Sequence, residues 1–66
     1  MANEQIVTTI RRGHVIDTGE HKFTVLGTSN IRGRYCYTVE DQGGRRVSLG
    51  REDVLQAQRE GHARVI

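Results

Sequence analysis

The sequence predicts a mainly-β fold: a small, strongly bent antiparallel sheet or small barrel of about five short strands, one helix near residues 51–60, and a short final strand. Three observations predict it. Tyr35, Tyr37 and Val39 alternate with Cys36, Thr38 and Glu40, and Val47 and Leu49 alternate in the same way, the period-2 pattern of half-buried strands. A second pair of short runs flanks Gly19-Glu20. Leu49, Val54 and Gly61 then stand at the spacings that open and close a helix.

Taken in order, Ile6-Val7-Thr8-Thr9-Ile10 is β-branched throughout and reads as a first strand. Arg11-Arg12-Gly13 breaks it. A hairpin follows, with Gly19-Glu20 as its two-residue loop. Thr18 then faces His21, Asp17 faces Lys22 and Ile16 faces Phe23. Glycine at the first loop position suits a type II′ turn. The alternative turn, Thr18-Gly19, sets Asp17 against Glu20, two like charges. The return strand runs from Lys22 through Leu26 to Gly27. Residues 28–34, rich in Ser, Asn and Gly, read as a loop with Ile31 turned inward.

The next hairpin has Gln42-Gly43-Gly44 as its loop. This register sets Val39 opposite Val47 and Tyr37 opposite Leu49, so the apolar faces coincide. It also sets Glu40 against Arg46 and Asp41 against Arg45, opposite charges across the ladder. With Gly50 as N-cap, Leu49 and Val54 form a hydrophobic staple, and Glu52 and Asp53 complement the positive end of the helix dipole. Arg59 in the last turn and Gly61 at the left-handed position close the helix. Its apolar face is thin, only Val54, Leu55 and Ala57, so it covers one side of a sheet. Ala63-Arg64-Val65-Ile66 supplies the last strand. This layout resembles the SH3-like barrels of the Tudor and KOW type. It departs from them in a helix longer than the single 3₁₀ turn usual before the last strand.

Size limits what the chain can do. At 66 residues it is one domain, residues 1–66, and such a domain buries only about 60% of its unfolded surface, too little for a deep active site. Hydrophobic residues make up 35% and charged residues 27%, which argues for a globular chain over a disordered one. The single Cys36 has no disulfide partner, which suits a reducing compartment. No signal peptide is visible, and no apolar run is long enough for a membrane helix. The expectation is a soluble, cytoplasmic protein without a membrane partner.

Catalytic signals are thin, and a non-enzymatic binding module is expected, without cofactor or metal. His14, His21 and His62 lack metal-ligand spacing. Glu40-Asp41 and Glu52-Asp53 are accounted for by cross-strand pairing and the helix dipole. Gly43-Gly44 is a turn and no phosphate loop, lacking the Lys and Ser/Thr that such a loop carries.

Charge is more suggestive. The net charge is only +2, yet of ten basic residues Lys22 alone is lysine. Arginine presents a planar donor fork suited to phosphate and base edges; codon bias toward arginine is the competing explanation. Arg32 and Arg34 flank Gly33 just before Tyr35, Arg46 lies at the neighbouring hairpin, and Arg11-Arg12 form another turn. Nucleic-acid binding through Arg11, Arg12, Arg32, Arg34 and Arg46 is therefore expected. Tyr35 and Tyr37, on the core-facing alternation, are expected to be buried. The alternative is a protein-binding or self-assembling module, a homodimer included, using a strand edge or the helix face.

Overall fold

The computed structural model describes residues 6–66, in which five strands and one helix follow in chain order. They are β1 (Val15–Asp17), β2 (Lys22–Ile31), β3 (Arg34–Glu40), β4 (Arg46–Gly50), α1 (Arg51–Arg59) and β5 (Arg64–Val65). All pair antiparallel in one sheet of order β4-β3-β2-β1-β5. The fold is thus mainly β with a single short helix, in keeping with a small bent sheet or barrel-like fold.

The hairpin registers follow the sequence pattern. Ile16 faces Phe23 and Asp17 faces Lys22 across β1–β2, and the Thr18 N–H donates to the His21 carbonyl over the Gly19-Glu20 loop. Val39 faces Val47, Tyr37 faces Leu49 and Glu40 faces Arg46 across β3–β4. Leu26 is the extra residue of a bulge, since Val25 pairs with Val39 but Gly27 with Thr38. A bulge bends its strand and increases local twist, which lets the ten-residue β2 serve both halves of the sheet.

The helix begins at the Gly50 N-cap and closes in a Schellman motif. The His62 N–H donates to the Ala57 carbonyl (2.8 Å) and the Gly61 N–H to the Gln58 carbonyl (3.1 Å), with Gly61 left-handed at φ +77°. Ile10, Ile16, Val25, Tyr37, Val39, Val54 and Ala63 form the buried cluster. Val7, Phe23, Val47, Leu49, Ala57 and Val65 pack around it, so the four apolar residues of the β3–β4 hairpin share one face.

Three expectations fail. Residues 6–10 are no strand. The Val7 N–H donates to Gln58 Oε1 (2.8 Å) and the Val7 carbonyl accepts from Gln58 Nε2 (3.0 Å). One side-chain amide on the helix thus supplies both partners that a neighbouring strand would have given. Gln58, 3% exposed, is the buried polar residue of the helix face, which apolar periodicity alone does not reveal. Residues 28–34 are no loop: β2 continues to Ile31, β3 starts at Arg34, and only Arg32-Gly33 turns the chain. Thr28, Ser29 and Asn30 pair with Tyr37, Cys36 and Tyr35, and this tertiary pairing overrides their weak strand preference. Ile31 points outward, 46% exposed, where the sequence pattern had it inward.

Candidate nucleic-acid interface

The β2–β3 turn carries an unusual backbone. Arg32 has φ +53° and Gly33 φ +81°, the two left-handed residues of a type I′ hairpin. Such a turn favours Asn-Gly, because the left-handed conformation costs an ordinary L-residue about 1–2 kcal/mol. Arg32 is the only non-glycine with positive φ among the described residues. Arginine at this position answers no local structural need.

Tyr35 follows two residues after Gly33 and corrects a further expectation. It lies on the core-facing alternation with Tyr37 and Val39, yet it is 47% exposed while Tyr37 is fully buried. The buried cluster ends at Tyr37, so the ring one step nearer the turn projects past it. The two rings meet edge to face, centroids 5.8 Å apart at 82°, a favourable aromatic geometry that steadies the exposed ring.

Arg51 completes the group. It is the first residue of α1, and it lines two adjoining recesses with Tyr35. One, of about 430 Å³, is bounded by Thr8, Thr9, Ile10, Tyr35, Tyr37 and Arg51. The other, of about 470 Å³, runs between Gly33-Arg34-Tyr35 and Gly50–Asp53. Burial pushes the Tyr37 hydroxyl above its usual 10.0, and the adjacent Arg51 guanidinium pulls it partly back. A cation at the first turn opposes the helix dipole. Glu52, 3.8 Å from Arg51, is largely exposed, and an exposed pair of that kind contributes little stability.

The five arginines read from the sequence do not gather in one place. Arg32 lies in the turn and Arg34 directly follows it, beside Tyr35. Arg46 pairs in register with Glu40, and from Arg34 to Glu40 is about 20 Å of extended strand. Arg11 and Arg12 precede Gly13, whose N–H donates to the Val25 carbonyl, a similar contour length along β2 from Ile31. All are exposed, but Arg46 and the Arg11-Arg12 turn occupy other parts of the sheet. Arg51 was missed because its sequence position reads as an ordinary helix start. The clue was its sign, a cation where the dipole favours an anion.

The expected cross-strand ion pairs are likewise absent. Among the described residues the close ion pair of Arg or Lys with a carboxylate is Arg51–Glu52, and His62 Nδ1 lies 3.7 Å from Glu60 Oε1. The Asp41 carboxylate instead accepts the Arg45 N–H (2.8 Å) and the Gly43 N–H (2.9 Å) through Oδ1. These bonds, the one from Arg45 foremost, hold its pKa below 3.8. His14 Nδ1 accepts the Arg11 N–H (2.9 Å) within its own turn. No group of three or more His, Cys, Asp or Glu able to hold a metal occurs among the described residues. Cys36 is buried with a free thiol. No described helix is long and apolar enough to cross a membrane.

Comparison with protein-family models, curated proteins and solved structures finds no match to this chain. The geometry of its own residues therefore carries the functional reading.

Proposed function

We propose that this protein is a non-enzymatic binding module that holds nucleic acid at the turn end of the β2–β3 hairpin. The observation that carries the reading is Arg32, placed in a left-handed turn position that stability alone would give to Asn or Gly, next to Arg34 and the exposed Tyr35. Local rules are broken mainly where function requires it. Arg32 and Arg34 contact phosphate, Tyr35 offers a ring face, and Arg51 adds a third cation across the recess from Arg34. Arg11, Arg12 and Arg46 act at a distance, raising the general attraction for a polyanion. A cytoplasmic setting suits the free thiol of Cys36.

The test is titration of a labelled oligonucleotide at rising salt. The wild type binds with an affinity that falls as salt rises, and replacing Arg32 and Arg34 together by Ala weakens binding and flattens that dependence by about two phosphate contacts. No binding by the wild type, or equal binding by the double variant, refutes the reading.

A second reading has one observation in its favour. Among the described residues β4 pairs only with β3, which leaves its outer edge free for strand addition by a protein partner or a second copy. A fixed dimer mass indifferent to salt, without nucleic-acid binding, supports that reading instead.

A further inference from the structure

We infer that the occupant of this interface is single-stranded, with one unpaired base laid on the Tyr35 ring in the recess walled by Thr8–Ile10 and its flanking phosphates at Arg34 and Arg51. The inference rests on the nucleic-acid reading and specifies the form of the ligand. It stands on the architecture around Tyr35.

The ring is supported on one edge before any ligand arrives. Tyr37 backs it edge-on, and Tyr37 is itself locked in the buried cluster. An aromatic platform already held in place loses little freedom when a base stacks on it. The opposite wall is supported too. Residues 8–10 belong to the segment that Gln58 fastens through both polar groups of Val7, and Ile10 is buried in the core. Gln58 is thus a positioning residue: it touches no ligand but holds the wall of the recess at its distance from Tyr35.

The charge in that recess is one-sided. Arg51 is the sole ionised side chain lining it, whereas the adjoining recess also carries Glu52 and Asp53. An anion is accordingly favoured most on the Thr8–Tyr35 side, and in the adjoining recess Arg34 and Arg51 offset the two carboxylates. The remaining lining of hydroxyls, aliphatic carbon and aromatic rings suits the flat, part-polar surface of a base.

Duplex does not fit this arrangement. A paired base has both ring faces covered by its neighbours in the stack and shows only its edges in the grooves. Tyr35 lines one shallow recess with Thr8–Ile10 and a second with the start of α1, so what it offers a ligand is a ring face and not a contact to a base edge. An unpaired base stacks on that face without the cost of unstacking a duplex.

The experiment is fluorescence anisotropy with one short labelled strand, free and annealed to its complement, at low salt. The free strand binds about tenfold or more tightly than the duplex. Tyr35→Ala loses about tenfold in affinity for the free strand, the size expected of one stacked base, whereas Tyr35→Phe keeps most of it. Gln58→Leu reduces the preference for the free strand but leaves the salt slope, which the arginines set. A salt slope that falls together with the preference in Gln58→Leu would show a merely structural role. Unchanged melting of Tyr35→Ala confirms that the fold is intact. Equal or tighter binding of the duplex, or a Tyr35→Ala variant that binds the free strand like the wild type, overturns the inference while leaving the nucleic-acid reading standing. Binding of neither form refutes the nucleic-acid reading itself and leaves the protein-interaction alternative.

Discussion

The two turns at the ends of β3 face the same backbone demand and answer it differently. At the β3–β4 end the chain reverses through Gln42-Gly43-Gly44, with glycine at φ +85° and the Asp41 carboxylate gathering the N–H groups of Gly43 and Arg45. Residue choice, hydrogen bonding and register all agree there. At the β2–β3 end an arginine takes the left-handed position at φ +53°, an isoleucine and a tyrosine project into solvent, and a cation starts the neighbouring helix. The first turn is built for stability. The second retains side chains that stability would replace, and among them Arg32, Tyr35 and Arg51 are of the types suited to a polyanion.

The largest effect is expected at the well-built turn. Gly44→Val puts a β-branched residue at φ +85°, where nothing crowds a Cβ but the backbone itself resists. The cost is about 1–2 kcal/mol, a drop in melting temperature of about 4–8 °C per kcal/mol for a domain of this size. A melt unchanged by this substitution would mean that the turn is not held left-handed, and the contrast between the two turns would collapse.

Arg32→Asn should move in the opposite sense. Asparagine tolerates the left-handed conformation and is favoured at the first position of a type I′ turn, so stability rises by about 0.5–1 kcal/mol. Oligonucleotide affinity falls in the same variant. A parallel melt and titration reads both. Stabilisation without loss of binding would leave Arg32 a strained residue with no use, and would shift the interface toward Arg34 and Arg51 alone.

What was legible in the sequence divides along the same line. The β3–β4 register was readable because Val39/Val47, Tyr37/Leu49 and a glycine loop all select one pairing. The helix was readable from the Leu49/Val54 staple and from Gly61, and both ends hold. The β2–β3 turn was not readable, because Thr28-Ser29-Asn30 look like loop residues and Arg32 hides a turn normally announced by Asn-Gly. The first five described residues, Ile6–Ile10, misled for another reason. Their β-branched run signals a strand, and what takes up the backbone groups of Val7 is instead a glutamine side chain 51 residues away. Of the candidate interface, Arg32 and Arg34 could be named from sequence. The exposure of Tyr35 and the approach of Arg51 depend on where the core stops, which no local pattern encodes.

The smallest expected effect sharpens the comparison from the stable side. The Asp41 carboxylate is held below its usual 3.8 chiefly by the Arg45 N–H, which outweighs the opposing desolvation, and the Gly43 N–H adds a smaller lowering. Its folded pKa is therefore lower than its unfolded one, and the folded state binds fewer protons in the interval between them. The contribution is fully present above pH 3.8 and is lost as pH falls below that value through the depressed folded pKa. Asp41→Asn keeps a side-chain oxygen that can accept the same two N–H groups but removes the charge. The variant should melt slightly below the wild type at neutral pH and converge with it in acid. A thermal-melt series from neutral pH to below 3.8 checks this. A constant difference across the series would show that the carboxylate's charge adds nothing to the turn, and that its two glycines, with the neutral hydrogen bonds, hold it alone.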